Sequence, residues 1–269
     1  LALSGAKVRK NFQTFFIQTM IIYATTFNRI NFSQMGRLSS SGEQRYRQNF
    51  EKDFDWIAFN RQFLSILPLR RFAIAIDPTY ISKSGKHTPG LAYFWSGAAG
   101  MARRGLETLG FAVVDADGKD AVALCARQTF SGKVSKGRRP GCLKCCKGNN
   151  SLYEQYLRAI YGDKDKFRQI CRLFVADSYF SVYPFVQGLT SMGFDLVSRL
   201  HDNASLRYLY EGERTGKRGR PVKYGGKVDV GNLDESVFTK ETATTGNGVE
   251  VVLQSAVVHY KSLKREIKL

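Results

Sequence analysis

RFAIAID at residues 71–77 and RLFVAD at residues 172–177 are two short runs of apolar, strand-forming residues, and each closes on an aspartate. Runs of this length bounded by turn-forming chain read as buried strands. A third run, at residues 195–199, follows a short helical pattern over 182–192. Between the first two lie strand patterns at 110–115 and 121–129, separated by the turn Ala116-Asp117-Gly118, and an amphipathic helix over 152–171. The apolar side of that helix holds Leu152, Tyr156, Leu157, Ile160 and Phe167 at helical spacing. Residues 78–108 are rich in Gly, Ser, Lys and small side chains and read as a long loop. The order strand, strand, strand, helix, strand, helix, strand mixes a hairpin with crossover units. It predicts an α/β fold with a sheet of mixed direction.

Texture changes on either side of this core. Residues 1–68 read as helical, with Phe12, Phe15, Phe16, Thr19, Ile22 and Tyr23 recurring at helical spacing and Pro68 closing the region. Ser40 and Glu43 fit a capping box opening a helix that carries Arg45, Arg47, Phe50, Phe54 and Trp56. Residues 201–269 alternate polar and apolar residues between Gly turns and read as a β-rich unit. The expected division is therefore 1–68, 69–200 and 201–269.

Composition narrows the partners. Hydrophobic residues make up 43% of the 269, enough for a real core, so this is no disordered basic tail. The net charge of +18 points first to nucleic acid, because clustered Lys and Arg neutralise phosphates and release counterions. A membrane surface fits less well, since the aromatics are scattered and not gathered on one basic helix. No apolar run is long enough to span a bilayer. The chain opens at Leu1 with neither Met nor a charged leader, which suggests a fragment and shows no secretory signal. An odd count of five cysteines favours reduced thiols and an intracellular setting.

Asp77 and Asp177 share one context, at the close of an apolar strand. Carboxylates at the ends of neighbouring strands can converge on one spot. Hard divalent cations require such oxygen ligands on rigid backbone. An aspartate after a strand is also an ordinary cap or turn residue, and both readings stay open on pattern alone.

The stretch FAIAIDPTYISKSGKHTPG (72–90) resembles the first catalytic block of DDE transposases of bacterial insertion sequences, and LFVADSYFS (173–181) resembles their second. FWSGAAGMARRGLE (94–107), KRGRPVKYGGKVD (217–229) and RINFSQMGRLSSSGEQRYRQNFEKDFDWIAFN (29–60) are similar to further segments of one branch of that family. The resemblance covers nearly the whole chain. It implies an RNase H-like catalytic core with an N-terminal helical domain and a β-rich insertion. It also implies that Asp77 and Asp177 are the first two acids of a triad holding Mg²⁺ or Mn²⁺. The third acid, a Glu on a helix after the insertion, is expected beyond Leu269, since Glu250 and Glu266 lie in strand-like alternation. Further implied are double-stranded DNA as partner (transposon ends and target), a homodimer in the DNA complex, no small-molecule substrate, and a cytoplasmic, nucleoid-associated protein in a bacterium. A truncated remnant that binds DNA without cutting it is the alternative.

Several basic segments are candidate DNA contacts, each also readable as a solvated loop. Thr79, Lys83 and Lys86 follow Asp77 closely and could flank a scissile phosphate, with Thr79 helping to order the metal site. Lys217, Arg218 and Arg220, with Lys223 after them, surround an Arg-Gly-Arg-Pro core similar to an AT-hook, a shape that suits a narrow minor groove. Arg138 and Arg139 sit in a loop over 127–147 with seven basic residues and no acid. Cys142, Cys145 and Cys146 supply half a zinc site with no partner pair at useful spacing, so free thiols are the better reading. The N-terminal helices, with Arg29, Arg37, Arg45, Arg47 and Arg61, could bind DNA ends or pair subunits.

Overall fold

The computed structural model describes residues 8–28, 30–65, 71–85, 87–130, 151–213, 219, 221–245 and 248–269. Lys86, Arg138, Arg139, Lys217, Arg218, Arg220, Arg29 and the Cys142, Cys145, Cys146 group lie outside the described residues. The chain divides into two compact units, 1–68 and 69–269.

The first unit holds α1 (Lys10–Thr25), α2 (Phe32–Arg37), α3 (Glu43–Phe50) and α4 (Trp56–Asn60). Phe15 and Ile22 of α1 bury against Met35 and Tyr46, and the Tyr46 hydroxyl donates to Ser39 Oγ at 2.7 Å. Phe16, Phe54, Trp56 and Phe59 form a second aromatic group, with ring centroids 4.6–6.4 Å apart. Tyr23, expected on the buried stripe, is half exposed. The expected capping box at Ser40 and Glu43 is absent: Gly42 is the N-cap of α3 and makes no side-chain cap bond. Glu43 instead accepts from Ser33 Oγ and Arg47, a stronger charged partner than a backbone amide. The real capping box is at α2, where Asn31 and Gln34 satisfy each other's backbone amides.

In the second unit, β1 (Phe72–Ser82) lies at the centre of a six-stranded sheet. On one side it pairs antiparallel with β3 (Met101–Asp115); on the other it pairs parallel with β5 (Leu173–Ala176), which pairs parallel with β6 (Asp195–Ser198). The far edge of β3 is shared by β2 (Ala92–Ser96), opposite residues 101–105, and β4 (Ala121–Thr129), opposite 107–114. The mixed sheet follows the sequence reading. The loop expected over 78–108 does not: β1 runs on to Ser82, β2 intervenes, and β3 starts at Met101. Pro78 sits where β1 has only β3 beside it, the edge condition that a strand proline needs. Gly105 lets β3 approach Ile81 and Tyr80 more closely than any side chain would allow.

One face of this sheet is closed by helices. Ile74, Ile76, Leu109, Phe111, Val113 and Phe174 are buried there. Phe111 and Phe174 meet Phe167 at centroid distances of 5.0 and 5.8 Å. The single helix expected over 152–171 is two, α5 (Leu152–Gly162) and α6 (Lys164–Arg168), broken at Asp163. The carboxylate of Asp163 takes Arg127 at 2.5 Å and Lys166 at 3.2 Å, tying the break to β4. α7 (Tyr183–Ser191) packs on α5, and Gly188 admits Leu157 where a Cβ would clash. A bulge between Phe111 and Ala112 turns Leu124 of β4 fully into the core.

Residues 201–269 are β-rich. β7 (Leu206–Leu209), β8 (Tyr224–Lys227), β11 (Val257–Tyr260) and β12 (Arg265–Lys268) form an antiparallel sheet in the order β12-β11-β7-β8, and β9 (Thr239–Thr244) pairs with β10 (Glu250–Ser255). Leu206, Phe238, Val258 and Tyr260 share one core with Val186 of α7 and with Leu196 and Leu200.

Candidate active site

The register of β1 against β5 pairs Ile74 with Phe174 and Ala75 with Val175. Carried on two residues, it sets Asp177 beside Asp77, at roughly the 4.8 Å separation of neighbouring strands. Asp77 is therefore not at the end of its strand, as the sequence suggested, but within it, just past the last paired residue of β5. Asp177 follows β5 directly. Both residues are exposed. Gly110 of β3 is the cross-strand partner of Asp77 and leaves the other flank of its carboxyl without a side chain.

Electrostatics agree with this closeness. Partial burial first, and the negative charge of Asp177 second, hold the Asp77 carboxyl above its ordinary value of 3.8. Two like charges that lack a counter-charge disfavour each other's ionised form. Asp177 Oδ1 also accepts the amide of Tyr179 at 3.1 Å, capping the short turn Ser178–Phe180. The cap role foreseen for such an aspartate thus holds for Asp177, and one carboxylate oxygen is left over for other work.

Behind the pair, on the helix-covered face, stands a support that sequence reasoning missed. Glu107 of β3 is buried, accepting from Tyr156 Oη at 2.8 Å and Thr129 Oγ1 at 2.6 Å. Tyr153 Oη donates to the carbonyl of Tyr179 at 3.0 Å, and the two rings lie 5.0 Å apart. Burial above all pushes the hydroxyls of Tyr153, Tyr156 and Tyr179 upward, with Asp177 adding to it at Tyr153, Glu107 at Tyr156 and Tyr153 at Tyr179, so all three stay protonated at ordinary pH. Through Tyr153 α5 fixes the turn that carries Asp177. The available signal was the alternation of 105–111, which sets Glu107 in phase with Leu109 and Phe111.

Two adjacent carboxylates on strand backbone suit a hard divalent cation in donor type and rigidity. Among the described residues no group of three or more His, Cys, Asp or Glu is placed to hold a metal ion. Thr79 lies two residues from Asp77 on the same strand face and is exposed. Lys83 is exposed just past the end of β1. Lys223 is exposed immediately before β8, in the four-stranded sheet. Of the described candidates, then, Thr79 and Lys83 accompany the pair along β1 and its continuation, whereas Lys223 stands on another sheet. Cys171 is a free thiol that donates to the carbonyl of Phe72 at 3.4 Å. No helix among the described residues is long and apolar enough to cross a membrane.

Residues 37–251, most of the chain, match the family model described as DDE superfamily endonuclease. No curated protein matches it.

Proposed function

This chain belongs to the DDE superfamily endonucleases, with an RNase H-like mixed sheet, and from that premise we propose that it is a DNA transposase cutting phosphodiesters at transposon ends. The freed 3′-hydroxyl is then joined to target DNA. The observation that supports the reading is the parallel register of β1 and β5, which, carried two residues past its last pair, brings Asp177 next to Asp77. Asp77 and Asp177 would hold Mg²⁺ or Mn²⁺ through their carboxylate oxygens. The chemistry such ions supply when bound is activation of a water or hydroxyl and stabilisation of the leaving oxygen. The protein's own part is positional. The strand backbone fixes both carboxyls, the Tyr153–Tyr179 contact holds the Asp177 turn, and Gly110 leaves room beside Asp77 for a phosphate to approach. Thr79 and Lys83 flank that approach, with the ammonium as a counter-charge to phosphate. Double-stranded DNA is the partner, in a homodimer that brings two ends together. Arg138, Arg139, Lys217, Arg218, Arg220 and Lys223 add backbone contacts.

The test is Mn²⁺ binding by the 269-residue chain, read from loss of the free-ion electron paramagnetic resonance signal, beside duplex DNA affinity. Asp77→Asn and Asp177→Asn should each remove most of the Mn²⁺ binding and leave DNA affinity within about twofold. Loss of DNA affinity with Mn²⁺ binding intact would overturn the assigned roles. DNA binding without any Mn²⁺ uptake in the parent chain would favour the non-cutting remnant.

A further inference from the structure

The β2–β3 hairpin carries a surface that the carboxylate pair does not use. Tyr93 is 72% exposed and Trp95 is 65% exposed, an uncommon state for two large rings in one strand. Both lie on the same face of β2, two residues apart, hence about 7 Å along the strand. Their cross-strand partners are Arg104 and Ala102 of β3. Ala102 is small and leaves the Trp95 ring open. Arg104 is held by a bond from its guanidinium to the carbonyl of Gly85 at 2.9 Å, and the carbonyl of Arg104 accepts from the Tyr80 hydroxyl at 2.8 Å.

Register ties this surface to the candidate active site. β3 faces β1 without a break from Ser82↔Gly105 to Phe72↔Asp115, with Asp77 opposite Gly110. Side chains alternate, so Gly110, Thr108, Leu106, Arg104 and Ala102 share the Asp77 face. Cross-strand partners share a face too, which brings Tyr93 and Trp95 onto it. One face of one sheet therefore runs from Asp77 past Thr79 and Ile81 to the two rings. The span from Gly110 to Arg104 is about 20 Å, or roughly six stacked nucleotides. No acidic residue occurs between Asp77 and Glu107, while Lys83, Arg103 and Arg104 do.

We infer that Tyr93 and Trp95 form a stacking platform for unpaired bases of the DNA strand that leads to or from the carboxylate pair, with Arg104 beside them as phosphate contact. Along its length a duplex keeps its base faces stacked inside and offers such rings groove edges, sugar and phosphate but no open base face. An unpaired strand offers base faces, and every base has one, so recognition is tolerant of sequence. The inference rests on the endonuclease reading for its geometry, but its test does not.

The 269-residue chain is titrated, in metal-free buffer, with a labelled blunt duplex and with the same duplex bearing a ten-nucleotide thymidine overhang of either polarity. The overhang of one polarity should bind about tenfold tighter or more than the blunt duplex. Tyr93→Ala with Trp95→Ala should erase that preference and leave blunt-duplex affinity unchanged. Trp95→Phe, which keeps a ring, should retain most of it. Equal affinity for all three probes, or a preference that survives the double alanine variant, overturns the platform. A double variant that changes only the sedimentation coefficient would make this face a contact between copies, and would also overturn it. In Asp77→Asn the preference should persist. Persistence there, together with unchanged Mn²⁺ binding, would sink the endonuclease assignment and spare the platform.

Discussion

Replacing Asp77 by Asn should make the metal-free protein more stable, which is the reverse of what most substitutions do. At the spacing of neighbouring strands, about 5 Å, two carboxylates would repel by about 0.8 kcal/mol at the dielectric of water and about 3 kcal/mol at an effective dielectric of 20. Both residues are exposed, so screening keeps the value near the lower end, about 1 kcal/mol. Asparagine keeps the shape and removes the charge. In a unit of this size 1 kcal/mol moves Tm by about 2–4 °C. The sign with pH follows from the direction of the Asp77 shift. Its folded carboxyl titrates above the ordinary 3.8, so the associated stability is full below that value and is lost as pH rises through the raised one. The variant's advantage should thus be present at pH 7 and vanish near pH 3. Differential scanning calorimetry in EDTA gives the difference directly. Repeated in 10 mM Mn²⁺, the order should invert, because the parent alone gains the ion's binding free energy. A variant less stable than the parent in EDTA at pH 7, or an equal rise in Tm for both on adding Mn²⁺, would refute the account of two uncompensated, neighbouring charges.

Two further outcomes test the scaffold behind the pair. Phe167→Ala removes a fully buried ring wedged between Phe111 and Phe174 and should cost about 3–5 kcal/mol in urea unfolding. Tyr156→Phe takes one of two hydroxyl donors from buried Glu107 and should cost about 1–3 kcal/mol, whereas Tyr161→Phe, at an exposed ring of the same helix, should be silent in the same assay.

The strands of the main sheet were legible where apolar β-formers run together. The runs ending at Asp77 and Asp177 bury Ile74, Ile76 and Phe174 against the covering helices, and the run from Asp195 pairs with β5 although its Val197 is exposed. The same logic hid the hairpin. Residues 78–108 contain Pro78, several glycines and exposed polar side chains, all loop cues in a local reading. What makes them strands is pairing with distant chain, and no local pattern encodes a partner. The position of Asp77 was misjudged for the same reason, since β1 continues past the point where β5 stops. The break at Asp163 was invisible because the apolar positions on either side stay in helical phase. Glu107 went unseen because it fell inside the stretch read as a loop, and nothing local links it to Tyr156 and Thr129.

Val186 belongs at once to the helix that covers the central sheet and to the core under the β-rich segment. A change of sequence texture at residue 201 is therefore not a line along which the protein can be cut. A version ending at 200 would leave Val186, Leu196 and Leu200 facing water, a sticky patch where a seam had been, and would be expected to clump rather than fold quietly. Conversely, strain introduced into the four-stranded sheet would be felt by α7, by the α5 helix it rests on through Gly188, and so by the turn that holds Asp177. Recombining this segment with another core would mean exchanging the α7 surface along with it.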